Sequence, residues 1–110
     1  MENLTMGKIN EYVKGLTNNA EIEVFNTLDM DDINCVFNYG CVSGVSGFTW
    51  YSETEAFFNK YAAEILELLE ELKQECGSHI FNHIEFTKNN LTWLFVEETV
   101  KRMVYELDCE

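Results

Sequence analysis

The sequence predicts an all-α bundle of four to six helices, forming a single domain over residues 1–110. Three observations predict it. Apolar residues recur at steps of three and four along most of the chain, which is the helical period. Proline is absent, so no predicted helix is interrupted by one. Hydrophobic residues make up 46% and aromatic residues 14%, enough to bury a core rather than leave the chain disordered. A length of 110 residues suits one domain.

The first helix carries Met6, Ile9, Val13 and Leu16 on one face. Thr5 or Asn3 can cap it, and Gly15 with Thr17, Asn18 and Asn19 ends it. Ile22, Phe25 and Leu28 fit a second, short helix. Asp29, Asp31 and Asp32 then precede Ile33, Val36 and Phe37, and acids at a helix start are favoured by its dipole. Residues 40–47 hold three glycines in eight positions, which implies positive φ or close backbone approach. Phe48, Trp50 and Tyr51 follow, forming either a short β-like segment at 48–51 or a clamp of the loop onto the core.

Ser52, Glu53, Thr54 and Glu55 have the pattern of a capping box. Behind it Phe58, Tyr61, Ala62, Ile65, Leu69 and Leu72 form an apolar stripe, predicting a helix over about 53–76, with Gly77 as its C-terminal stop. Ile80, Phe81, Ile84 and Phe86 fit a short helix or an irregular apolar segment. A last helix over about 91–107 points Trp93, Val96, Val100, Met103, Val104 and Leu107 inward and leaves Glu97, Glu98, Lys101 and Arg102 mostly exposed. The helices at 53–76 and 91–107 form the central pair.

Twenty acids against seven bases give a net charge of −13. Such a field repels phosphates, which proteins bind through Lys and Arg, so direct nucleic-acid binding is not expected. An anionic membrane surface is excluded in the same way. The field steers the protein toward basic surfaces, although acidity also serves simple solubility. The stretch Met1 to Asn10 has no basic start followed by an apolar run, and no run approaches the length of a membrane span. A cytoplasmic location in the host cell is expected, with the four cysteines reduced and acting as small buried hydrophobes.

Cys76, His79 and His83 read C-x2-H-x3-H, the sharpest metal pattern present. A fourth zinc ligand would have to come from Cys35, Cys41, Cys109 or a carboxylate, no C-x2-C pair exists, and Gly77 separates Cys76 from the histidines. No metal and no cofactor are therefore expected. Ser43 and Ser46 lack the G-x-S-x-G elbow of a nucleophile, and Cys41 would need a neighbouring histidine. Gly40, Gly44 and Gly47 lack the Lys-Ser/Thr ending of a phosphate loop. Asp29, Asp31 and Asp32 lack the glycine and distal Glu of a calcium loop, so helix capping explains them.

Glu64, Glu67, Glu71 and Glu75 climb one side of the long helix, recurring every ~5–6 Å. That spacing is of the same order as phosphates along a nucleic-acid strand, so the row is either a DNA mimic or a solvated helix face.

The segments Gly40-Cys41-Val42-Ser43-Gly44 and Gly47-Phe48-Thr49-Trp50-Tyr51-Ser52-Glu53-Thr54-Glu55-Ala56-Phe57-Phe58 resemble a pattern in small acidic proteins of phages and other mobile elements. Those proteins also tend to end in an aromatic-rich helix, here Asn90-Leu91-Thr92-Trp93-Leu94-Phe95-Val96-Glu97-Glu98. The resemblance covers about the C-terminal two-thirds and supplies no catalytic residues. It implies a mobile-element origin, where small acidic proteins often inhibit host defence, including CRISPR nucleases and restriction enzymes. The expected function is thus a non-enzymatic inhibitor, of anti-CRISPR type, that binds a host protein with a basic surface. Glu64, Glu67, Glu71 and Glu75 are its expected contacts; Trp50 and Tyr51 are either aromatic anchors or core. The alternatives are a self-associating helical module, such as a homodimer, and a small zinc protein using Cys76, His79 and His83.

Overall fold

A computed structural model describes residues 4–108, apart from His83 and the side chains of Ile80 and Asp108. The chain forms α1 (Met6–Lys14), α2 (Asn19–Thr27), α3 (Met30–Tyr39), α4 (Tyr51–Cys76), a 3₁₀ turn (Ser78–Phe81) and α5 (Lys88–Asp108). The architecture is all-α, with no strand among the described residues.

Local side chains set the starts of the first three helices. Thr5 Oγ1 accepts the Lys8 amide at 3.2 Å. Asn18 Oδ1 accepts the amides of Ala20 and Glu21 at 2.9 and 3.2 Å, while its Nδ2 donates to the Glu64 carbonyl at 3.0 Å, tying the start of α2 to α4. Asp29 and Asp32 form a reciprocal capping box at 2.8 and 3.3 Å. Gly40 ends α3 in the left-handed conformation, φ 64°.

The start of α4 differs from the sequence expectation. The helix begins at Tyr51, so Ser52 lies inside it and the Ser52–Glu55 box does not form; Trp50 is the N-cap and provides no side-chain bond. The Trp50 carbonyl accepts the amides of Glu53 and Thr54 at 3.0 and 3.2 Å. Thr54 explains the shift. It is fully buried, its hydroxyl bonds the Tyr51 carbonyl and Asn89, and its carbonyl accepts Thr92 Oγ1 at 3.4 Å. Packing against α5 thus overrides the local cap signal.

Of the two alternatives for 48–51, the β-like segment does not form. Residues 42–48 instead make two successive tight turns, Val45 N to Val42 O and Phe48 N to Val45 O, both 3.1 Å. Gly47 completes the second with φ +84°. The turns drive Phe48 into the core, where its ring meets Phe57 at 5.2 Å, and leave Trp50 and Tyr51 outside.

The core centres on α4 and α5, the expected central pair. Ile65, Leu68, Leu69 and Leu72 of α4 are buried against Phe95, Val96, Val100, Met103 and Val104 of α5. Helix α5 also contacts α1, α2 and α3. Surrounded in this way, it has little free face, and Glu97, Glu98, Lys101 and Arg102 are half-buried rather than mostly exposed. Helix α4 is kinked at Tyr61 (φ −121°, ψ 26°), where the ring stacks 4.9 Å from Phe57.

Candidate functional site

Two surface features of α4 stand out, one at each end. The first is the acidic row. Glu67, Glu71 and Glu75 are exposed, while Glu64 is half-buried beside the Asn18 contact. The row borders α2 and the far part of α5. From there Arg102 reaches Glu71 at 3.9 Å, a loose pair at a partly exposed surface. Among the described residues Glu64, Glu67 and Glu75 form no ion pair. The other flank of α4 presents Leu66, Glu70 and Lys73 to Phe81, Phe86 and Leu91 across a groove of about 270 Å³.

Behind the row, charge is compressed into the bundle. Glu21 is buried, and burial pushes its carboxyl above the usual range; Arg102 opposes the shift and the charges of Glu71 and Glu106 reinforce it. Tyr12, beside Glu106, is pushed up to about 12, chiefly by burial and then by the Glu106 charge. Glu98 is raised by burial, against the pull of Lys101. Lys101 is raised by its 2.8 Å bond to Glu97.

The second feature lies at the start of α4. Trp50 and Tyr51 are 67% and 65% exposed, which removes them from the core. With Trp93, Ser43, Thr49 and Ser52 they line an open cleft of about 710 Å³. The Tyr51 and Trp93 rings meet at 5.6 Å, and Trp93 is fixed by donating its Nε1–H to the Phe48 carbonyl at 3.1 Å. Trp93 therefore does not simply point inward. Sequence spacing could not link it to Trp50, because only the packing of α5 against the loop brings them together. Glu64 lies thirteen positions beyond Tyr51, about 20 Å along the helix, so aromatic cleft and acidic row are distinct surfaces.

The remaining candidates are cysteines and histidines. Cys76 is exposed at the end of α4 and His79 lies in the 3₁₀ turn beyond Gly77, whose φ of +90° breaks the helix between them. His83 and Cys109 lie outside the described residues. Among the described residues no group of three or more His, Cys, Asp or Glu side chains could hold a metal ion. The three described cysteines are not the buried hydrophobes expected: Cys41 and Cys76 are exposed and Cys35 is half-buried. The Cys35 thiol lies 3.9 Å from the Cys41 carbonyl, and desolvation followed by the Cys41 neighbour raises its pKa, which disfavours the nucleophilic thiolate. No described helix is long and apolar enough to cross a membrane.

No curated protein and no solved structure matches the chain. Residues 7–109 match a family described as a domain of unknown function. Since that match spans nearly the whole sequence, the chain belongs to the DUF7222 family.

Proposed function

We propose that the protein acts without turnover, by laying the acidic flank of α4 against a basic, nucleic-acid-binding surface of a partner. In its specific form the partner is a host defence protein such as a CRISPR nuclease, and the protein blocks substrate access. The observation that carries this reading is the exposed series Glu67, Glu71 and Glu75, held on a helix packed against α5 and countered only by Arg102 at 3.9 Å among the described residues. Carboxylates fixed on a rigid element present their field with little ordering cost on binding. The net charge of −13 adds long-range steering.

The test is competition. The protein is titrated into a guide-loaded CRISPR nuclease with labelled target DNA, at low and at physiological salt. Loss of DNA binding that weakens as salt rises, and that disappears in a Glu67→Lys/Glu71→Lys/Glu75→Lys variant, supports the proposal. Undiminished inhibition by that variant would sink it.

Self-association is the second reading, favoured by Leu66 and Phe86, which are 49% and 69% exposed beside Phe81 and Leu91. A dimer through this groove would persist in high salt in sedimentation equilibrium, and Leu66→Glu would dissolve it.

A further inference from the structure

We infer that the cleft formed by Trp50, Tyr51 and Trp93 binds an extended, proline-rich peptide segment with basic flanks. It is a second binding surface, independent of the acidic row.

Four observations combine. Two tryptophans and a tyrosine converge on one open cleft, with Trp50 and Tyr51 two-thirds exposed although the core nearby is well filled. Proline rings and other flat apolar groups stack on such faces, and the polyproline helix reaches them already extended. The hydroxyl side chains of the lining are Ser43, Thr49 and Ser52 beside the Tyr51 phenol, and that of Thr49 already donates to the Val45 carbonyl. Among the described residues Ser43 and Ser52 make no side-chain hydrogen bond, and the Tyr51 and Ser52 amides find no acceptor. The cleft thus offers spare donors to a ligand rich in acceptors. A polyproline segment leaves its carbonyls free.

Charge selects the flanks. No basic residue lines the cleft, while Glu53 and Glu55 follow in the opening turns of α4 on a chain of net charge −13. An anionic ligand such as a nucleotide would meet that field. A peptide with arginine or lysine beside its prolines would be attracted by it. Residues 1–110 contain no proline, so none of them can supply the ligand's proline run.

The experiment is calorimetry on the full chain with a capped proline-rich peptide carrying an arginine at each end. The comparison ligands are the same peptide with alanine for proline, and a neutral oligosaccharide, which could also stack on aromatic faces. Binding of the proline peptide, at least about tenfold tighter than the alanine peptide, supports the inference. Equal binding of the two peptides, or binding of the oligosaccharide alone, overturns it.

Trp50→Ser separates recognition from folding. Serine at an N-cap position provides the missing side-chain bond, so this variant should melt no lower than the parent while losing about tenfold or more in peptide affinity. Full affinity in Trp50→Ser would overturn the inference. The Glu67→Lys/Glu71→Lys/Glu75→Lys variant should bind the peptide within about threefold of the parent, since its changes lie some 20 Å or more away. The two surfaces therefore succeed or fail separately.

Discussion

The indole Nε1 of Trp93 donates a 3.1 Å hydrogen bond to the Phe48 carbonyl, fastening the end of the glycine-rich loop to α5. Trp93→Phe keeps a ring against Tyr51 but removes the donor and part of the indole. The variant should lose at least about 1 kcal/mol, the net worth of one such bond, plus the packing of the lost ring atoms. Urea denaturation measures it; an unchanged midpoint would mean that the loop is held by the packing of Phe48 alone.

Burial holds the Glu21 carboxyl above its ordinary range despite Arg102. The folded state therefore keeps this proton to higher pH than the unfolded state does. Its contribution to stability is complete below the unfolded pKa of about 4.3 and is lost as pH rises through the folded value. Glu21→Gln should accordingly melt above the parent at neutral pH, and the gap should close in acid. Thermal melts across that range decide it; a variant that melts below the parent at neutral pH would mean that the attraction of Arg102 outweighs burial.

The Thr99 hydroxyl is fully buried and has no hydrogen-bond partner among the described residues. Replacing it by a methyl group of nearly the same shape removes an unsatisfied polar atom. Thr99→Val should stabilise the fold by about 1 kcal/mol. A lower urea midpoint would instead reveal a hydrogen bond made by this hydroxyl in solution.

Gly47 stands at φ +84°, and a Cβ there would collide with Thr27 Cγ2. Gly47→Ala should cost about 2 kcal/mol or more, from left-handed strain and the clash together. Thr27→Ser deletes the colliding methyl and keeps the hydroxyl that donates to the Glu23 carbonyl. The double variant should be more stable than the sum of the singles, by an amount equal to the clash. Strict additivity in denaturation would assign the whole cost to the backbone.

Local interactions were the legible ones. Thr5, Asp29, Gly40 and Gly77 act within a few residues of themselves, and the sequence places each at or near its helix boundary. The Ser52–Glu55 pattern is equally local, yet it loses to Thr54, whose partners Asn89 and Thr92 come from α5. The kink at Tyr61 has no proline or glycine to announce it. Surfaces follow the same division. The row from Glu64 to Glu75 belongs to one helix and can be read by counting. The pairing of Glu71 with Arg102, and of Tyr51 with Trp93, needs two elements folded together.

Helix α5 touches each of the other four, and α3 packs chiefly on it. During vectorial synthesis, a nascent chain that has delivered α1 to α4 still lacks the element on which all of them close. Such an intermediate has α2 against α4 but leaves the side of Ile65, Leu68, Leu69 and Leu72 that packs on α5 uncovered. Folding therefore waits until α5 has left the ribosome tunnel, and chains stalled before Lys88 should be digested by protease where chains that have delivered α5 resist.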